Sequence, residues 1–310
     1  MVVDRQLILD LSLRLRERVL PFLGSHAGRR FAGDGAGGDV TFAIDEMAEA
    51  ELASFVAERA PRLAFYSEDR GLVAPDDAVA VLVVDPIDGT RPAMAGLESA
   101  CVAVALAPLD DGEPTMVDLT IGCVVEIKTG DWFLAVRGEG VTSSRSVALS
   151  SNSDVRRMFW SYGFRGRPAR ATVEVLAELI DASSVGGGTF ELGSQAFSMT
   201  RLVTGQLDAV IEVGSRVVDE VPGMLAQFEA IGGGQVLNNS PYDLAAPWLC
   251  LREAGGVVSD GWGEPLDRHR LLGSGHEFQM SSISAANASL HGQLVRAIDS
   301  GVARLKALYT

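Results

Sequence analysis

Residues 81–90 read VLVVDPIDGT, and the reading of this stretch decides the fold. Val81, Leu82, Val83 and Val84 form a short apolar run that suits a buried strand. Asp85 and Asp88 follow at once, separated by Pro86 and Ile87, and Gly89-Thr90 closes the stretch. A buried strand that ends in two carboxylates requires compensation, because an unpaired buried carboxylate is strongly disfavoured. A hard divalent cation supplies it: magnesium takes carboxylate and carbonyl oxygens and keeps positions open for water and phosphate. Asp, Pro and Gly are also ordinary turn residues, so the rest of the chain has to separate a metal site from a turn.

Two other stretches do so. Upstream, Phe65-Tyr66-Ser67-Glu68-Asp69 reads as a second short strand ending in acids. Downstream, Tyr242-Asp243-Leu244-Ala245-Ala246 opens an apolar, helix-like stretch through Trp248, Leu249 and Leu251 to Ala254. Gly255-Gly256 stops it, and Val257-Val258 resumes as a strand. Asp243 thus stands near a helix N-terminus, where a carboxylate is an ordinary cap; with the other acids nearby it becomes a metal ligand.

These segments carry a resemblance to the magnesium-dependent, lithium-sensitive inositol monophosphatase superfamily, which also holds fructose-1,6-bisphosphatases, 3'(2'),5'-bisphosphate nucleotidases and histidinol-phosphate phosphatases. Asp85 to Thr90 matches its D-P-[IL]-D-G-T signature in full. Tyr242-Asp243-Leu244-Ala245-Ala246 with Glu253-Ala254-Gly255-Gly256 matches W-D-x-A-A followed by E-A-G-G. Thr41 to Asp45 and Ser67-Glu68-Asp69 match two further signatures, and Gly138-Glu139-Gly140, Gly193-Ser194 and Ala285-Ala286-Asn287 are smaller echoes. The matches lie in the family's order and cover nearly the whole chain.

The resemblance implies a Mg-dependent phosphomonoesterase acting on a small sugar or cyclitol phosphate through metal-activated water. It implies a layered αβαβα sandwich of the sugar phosphatase type, with α+β and α/β halves. Glu68, Asp85 and the Ile87 carbonyl resemble ligands of a first Mg2+, and Asp85, Asp88 and Asp243 those of a second; a third, weaker ion leans on Glu68. Asp45 and Thr90 resemble the pair that orients and deprotonates the attacking water, with Glu68 grouped among the catalytic residues. The backbone amides of Gly89 and Thr90 resemble a phosphate cradle at a helix start. Physical chemistry agrees: clustered carboxylates repel a phosphate monoester unless two or three divalent ions reverse the local sign, and phosphoryl transfer asks mainly for positioning and charge stabilisation.

The chain has 310 residues, 47% of them hydrophobic, enough for a large core and plausibly two domains. A formal net charge of −15 disfavours nucleic acid and anionic membranes as partners. Cys101, Cys123 and Cys250 stand in apolar runs without metal-ligand spacing, so they read as buried small hydrophobes. Asp4, Arg5, Asp10 and Arg14 interrupt the N-terminal leucines, which reads as an amphipathic helix and not a signal peptide. With no apolar run long enough to span a bilayer, the expected compartment is the cytoplasm. The family commonly forms homodimers.

The pattern predicts helices over 3–23, with Leu7, Leu11, Leu15 and Val19 on one face, and over 44–59. Strands dominate from Phe65 to about Leu149, including 101–107, 116–127 and 132–136. After Ser150 to Ser153 the texture alternates: helices over 172–180 and 194–204, a strand over 207–212, and a closing helix over 285–308. The shift places a boundary near residue 150, giving a 1–150 α+β domain that carries most metal ligands and a 151–310 α/β/α domain that carries Asp243. The resemblance implies that the metal site lies in the cleft between them.

Gly33, Gly35 and Gly38 satisfy G-x-G-x-x-G, but a helix precedes them where a dinucleotide fingerprint needs a strand, so the segment reads as a loop. His26, His269, His276 and His291 are scattered outside the motifs and read as filler. Several departures fall where the family reads its leaving group. Pro92 replaces the usual Asn. Val236-Leu237-Asn238-Asn239 lacks the acid that inositol phosphatases carry there, Tyr242 replaces Trp, and the stretch 215–240 is long. Arg91, Gly193, Ser194, Arg216, Asn238 and Asn239 are the candidate substrate contacts. Asp219, in Arg216-Val217-Val218-Asp219, is an alternative to Asp243, but Glu220-Val221-Pro222 breaks the D-x-A-A pattern. Two other readings stand beside the leading one: a fructose-1,6-bisphosphatase or bisphosphate nucleotidase on the same fold, and a non-catalytic metal- or phosphate-binding regulator, which the intact set of acids disfavours.

Overall fold

The computed structural model describes residues 4–25, 29–34, 40–109 and 112–310. Gly35, Gly38 and His26 lie outside the described residues. The chain opens with helix α1 (Arg5–Val19), whose Ile8, Leu11, Leu15 and Val19 are buried; Ile8, not Leu7, heads the apolar face. A two-stranded ribbon, β1 (Phe31–Asp34) and β2 (Val40–Phe42), leads into α2 (Ala43–Arg59).

The first large sheet runs β3 (Leu63–Ser67), β4 (Gly71–Val73), β5 (Ala80–Asp88), β6 (Cys101–Pro108), β7 (Ile121–Glu126), β8 (Trp132–Val136) and β9 (Gly140–Ser143), in the spatial order β4-β3-β5-β6-β7-β8-β9. Only β3 and β5 pair in parallel. The short helix α3 (Thr90–Ala95) follows β5 directly. The expected strand over 116–127 is shorter at its start: Met116–Asp118 is a 3-10 turn, capped by Asp118 accepting from the Thr115 amide.

The remainder forms a second sheet from β10 (Phe159–Tyr162), β11 (Gly188–Phe190), β12 (Ala209–Glu212), β13 (Val257–Ser259) and β14 (Ser282–Ala285), in the order β11-β10-β12-β14-β13. Its helices are α4 (Ala169–Ser183), α5 (Gln195–Val203), α6 (Gly214–Glu220), α7 (Met224–Ile231), α8 (Pro241–Glu253) and α9 (Ala288–Leu308). The long 215–240 stretch is therefore largely the α6–α7 pair. Ala285 and Ala286, expected in the last helix, precede it; Asn287 caps α9 by accepting from the Leu290 amide.

Alternation along the strands explains the layering. In β5, Val81 and Val83 face one core while Leu82 and Val84 face another. A strand covered on both sides reads as an unbroken apolar run, which is the texture of VLVV. On one side lie α1 and α2 with Leu52, Phe55 and Val56. On the other lie α5 and α8, which fill the space between the sheets with Met199, Leu202, Trp248 and Leu251. α8 is buried nearly all round, as a central-layer helix must be. The far face of the second sheet packs on α4 and α9 through Trp160, Ile211, Val175, Leu294 and Ile298. The layers read helix, sheet, helix, sheet, helix, as expected.

A buried ion pair pins the middle layer. Arg201 of α5 bonds Glu126 at the end of β7, with side chains 9% and 1% exposed. Arg201→Met leaves Glu126 charged and buried without its partner, and is expected to lower stability by about 3–5 kcal/mol. Urea unfolding checks this. A loss below about 1 kcal/mol would show the pair to be dispensable.

Candidate active site

The spacing of Asp85 and Asp88 is odd, and in a regular strand residues three apart point to opposite faces. The pairing of β5 with β6 resolves this. Asp85 lies opposite Ala103 and Asp88 opposite Cys101, so three steps on β5 match two on β6. One extra residue is accommodated as a bulge at Pro86-Ile87, where a proline missing its ladder donor is tolerated. The bulge brings both carboxylates to one end of the strand, and Asp85 Oδ1 accepts from the Ile87 amide at 2.9 Å.

Register delivers the next acid. Ser67 on β3 lies opposite Val84 on β5 in parallel pairing, so Glu68 and Asp85 emerge side by side. Behind them Glu49 of α2, 3% exposed, accepts from the Ser67 hydroxyl at 2.8 Å and from the Asp69 amide. The sequence reading missed this support; an acid on the apolar face of a helix was its signal. Asp243 arrives from the first turn of α8, in a capping box with Ser240, whose amide donates to Oδ2 at 2.6 Å. Asp243 is thus both cap and site residue.

One carboxylate oxygen from each of Asp85, Asp88 and Asp243 lies within 4.8 Å of the others. Withdrawal from water raises all three carboxyls: Asp85 well above its usual range, with Glu68, Asp88 and Asp243 adding repulsion, Asp88 to about 6, and Asp243 to about 8. Asp88 is raised less because the start of α5 closes on it. The Ser194 hydroxyl donates to its Oδ2 at 2.7 Å, and the Ala196 and Gln195 amides also point at it. Hydrogen bonds to the charged form oppose the effect of burial. Ser194, expected at the substrate, lines the cavity and also donates its hydroxyl to Asp88 while accepting from the Phe197 amide, which it caps.

On the other flank, Thr90 Oγ1 lies 3.1 Å from both Asp45 Oδ1 and the Ile87 carbonyl. Asp45 Oδ2 accepts from the Phe42 amide at 2.8 Å, fixing the carboxylate at the start of α2. Gly89 sits between strand and helix at φ 90°, and a Cβ there would approach the Ser99 carbonyl to 2.6 Å and Ser194 Cβ to 2.9 Å, so only glycine fits.

A cavity of about 110 Å³ collects these groups: Glu68, Asp85, Asp88, Gly89, Thr90 and Asp243 on one side, with Arg91, Gly193, Ser194, Asn238 and Asn239 of the expected contacts. Arg216 is a correction. It is 6% exposed, paired with Glu220 at 2.9 Å and Asp299 at 2.8 Å, and donates to the Gly261 carbonyl, so it ties α6 to α9 and is not among the residues that line the cavity. Asp219 lies beside His276 at 3.6 Å, outside the aspartate triad. The cavity also has a wall the sequence reading missed, formed by Tyr162 at the end of β10 and by Gly163, Phe164, Arg165 and Arg167 beyond it. Arg167 Nε donates to Glu212 at 2.8 Å, both buried, and its Nη1 donates to the Arg165 carbonyl. An acid closing an apolar strand at Glu212 repeats the pattern of Asp85 and was the available signal.

A family model described as the inositol monophosphatase family matches residues 4–302. The chain belongs to the inositol monophosphatase family. That family comprises metal-dependent phosphoric monoester hydrolases acting on small phosphorylated substrates. Among relatives, the chain is 26% identical over 296 residues to a fructose-1,6-bisphosphatase/inositol-1-monophosphatase of Methanothermobacter thermautotrophicus, covering 92% of this chain and 93% of that one. It is 28% identical over 244 residues to a Nus factor SuhB of Xylella fastidiosa, covering 73% and 84%. The fold matches inositol monophosphatase from Anabaena (Nostoc) sp. PCC 7120 with TM-score 0.67 at 19% identity, covering 95% and 94%. The suhB protein of Bartonella henselae matches with TM-score 0.71 at 19% identity, covering 96% and 98%. In this inositol monophosphatase family member, no described helix is long and apolar enough to cross a membrane.

Proposed function

We propose that this chain is a Mg2+-dependent phosphatase of a small sugar or cyclitol phosphate, using two to three ions held by Glu68, Asp85, the Ile87 carbonyl, Asp88 and Asp243. The observation that carries the reading is the aspartate triad: three carboxylates drawn together out of water, with protonation favoured for want of a countercharge. Oxygen donors of this kind suit a hard cation. Bound there, the ions would supply charge neutralisation and Lewis acidity toward the phosphoryl group and water.

The chain's own groups do the rest. The Gly89 and Thr90 amides, at the turn into α3, hold phosphoryl oxygens. Thr90 Oγ1 orients the attacking water and hands its proton toward Asp45 Oδ1, 3.1 Å away. The Phe42 amide, bonded to the other oxygen of Asp45, holds the carboxylate in the orientation that presents Oδ1 to Thr90. The α5 amides keep Asp88 ionised for the cation. A fructose-1,6-bisphosphatase activity is the second reading, favoured by the arginines Arg91 and Arg165 on the cavity wall and by the name of the archaeal relative. A cytoplasmic homodimer without a nucleic-acid partner accompanies the proposal; the net charge of −15 favours the last of these.

The test is inorganic phosphate release from inositol 1-phosphate, fructose 1,6-bisphosphate, adenosine 3',5'-bisphosphate, histidinol phosphate and sugar monophosphates, with magnesium and with chelator. Chelator-sensitive turnover, inhibited by millimolar lithium, is the expected result. Turnover indifferent to chelator, or none across the panel, would contradict the proposal.

A further inference from the structure

A second cavity, of about 310 Å³, opens where α6 meets the segments that follow β13 and precede β14. α6 supplies Ser215 and Asp219, the turn after β13 supplies Asp260 and Trp262, and the 3-10 turn at His276–Phe278 supplies His276 and Glu277. None of these six residues lines the active-site cavity. Two features that the phosphatase reading leaves without a use, the long 215–240 stretch and Asp219, thus meet at one place, joined by histidines that read as filler. The volume falls at the small end of the range of ligand cavities, roughly 300–1,000 Å³.

The cavity holds polar groups that the protein itself does not satisfy. Ser215 is 4% exposed, and its hydroxyl has no hydrogen-bond partner among the described residues. Gln279, on the wall shared with the active-site cavity, spends its Nε2 on the Val236 carbonyl, while its buried Oε1 is unpaired. Buried polar groups are nearly always paired, so two orphans on one cavity wall call for a ligand.

Charge selects the kind of ligand. Asp219, Asp260 and Glu277 line the cavity, and among the described residues that line it none is lysine or arginine. Arg216, whose guanidinium lies 5.8 Å from the Trp262 ring, is already matched by Glu220 and Asp299. Asp219 has only His276 beside it, at 3.6 Å, and burial pushes the His269 imidazole down, toward its neutral form. Asp260 uses Oδ1 on the Trp262 and Glu264 amides, both at 2.8 Å. The wall is therefore negative and rich in acceptors, which calls for a cation that carries N–H donors. A single bare metal ion does not fit. Among the described residues, only Asp85, Asp88 and Asp243 bring three acid, histidine or cysteine ligand atoms within 4.8 Å of one another. The acids here come from three segments and are spread around a wider space, which suits a ligand with two cationic ends.

We propose that this cavity is a ligand site separate from the active site, and that it takes a small aliphatic diamine as its diammonium ion. The acids receive the ammonium groups, and Ser215 Oγ and Gln279 Oε1 gain the donors they lack. Because Gln279 stands on both walls, an occupant of this cavity touches a residue of the active-site cavity as well.

The test is calorimetric titration of the full chain with 1,4-diaminobutane, at neutral pH and physiological salt, in saturating magnesium. One-to-one binding is expected, with none for 1,4-butanediol, which has the same length and no charge. The double variant Asp219→Asn, Asp260→Asn keeps side-chain volume and the oxygen that holds the Trp262 turn, and should weaken binding about tenfold or more. Ser215→Ala, which removes the orphan hydroxyl, should weaken it about two- to tenfold and serves if the double variant does not fold. Absence of binding, equal binding of the diol, or affinities within about twofold of wild type in the folded variants would overturn the proposal. So would binding that survives the double variant but is lost in Asp88→Asn, since the diamine would then sit among the active-site acids. Binding of Zn2+ tighter than that of the diamine, and lost in His276→Ala, would make this a metal site and overturn the ammonium assignment.

Discussion

Asp88→Asn is expected to lower kcat by about a thousandfold or more while the protein remains folded. Asp88 is the member of the triad most completely built into the fold, with Ser194, Gln195 and Ala196 all donating to it. An asparagine keeps its volume and can still accept from the start of α5 through its single oxygen. What it loses is the charge that a divalent cation needs, and the second acceptor oxygen. The same change relieves repulsion among neighbouring carboxylates, since Asp88 raises both Asp85 and Asp243. The variant should therefore unfold at a higher temperature than the wild type in chelator at pH 8, despite being inactive. Activity near the wild-type level would remove Asp88 from the chemistry.

A second large effect is the coupling of stability to pH and cation. Burial raises Asp85 well above the carboxylate range, Asp88 to about 6 and Asp243 to about 8. In the unfolded chain such groups titrate near about 3.9. Between those values the native state binds more protons than the unfolded state, so stability falls as pH rises. The stabilisation is fully present below the unfolded pKa and is lost by about pH 8, the folded value for Asp243. In chelator, Tm should drop between pH 5 and pH 8.5 by on the order of 10 °C, equivalent to several kcal/mol. Magnesium should reverse most of the fall, and reverse it more at high pH, because a cation binds the ionised form. Asp88→Asn should show a shallower fall. A flat Tm across this range, unmoved by magnesium, would contradict the triad's electrostatics.

Much of the site was legible in the sequence because its acids sit at places where strands and helices end. The run of residues 81–84 marks a strand covered on both faces, and the carboxylates of Asp85 and Asp88 terminate it. Asp243 could be read as a cap, and it is one; what a cap reading cannot give is that α8 points its first turn at β5. The bulge at Pro86-Ile87 was hidden, since it follows from pairing with β6 and not from local propensity. Arg216 misled for a related reason. An arginine in the stretch that reads the leaving group suggests a substrate contact, whereas its burial depends on Glu220, Asp299 and Gly261 meeting it from three segments. Arg167 and Glu212, 45 residues apart, become a pair only when β10 and β12 lie side by side. The bond from Ser194 to Asp88 spans 106 residues, so nothing local announces it.

The central claim is that Asp85, Asp88 and Asp243 hold the divalent cation on which phosphate release depends. Crystals soaked in Mn2+ and measured at an anomalous wavelength test it most directly. The expected result is density bonded to carboxylate oxygens of all three aspartates, with Glu68 alongside, and no such density in Asp88→Asn crystals. Manganese absent from the triad in the wild type, or bound instead beside Asp219 and His276, would contradict it.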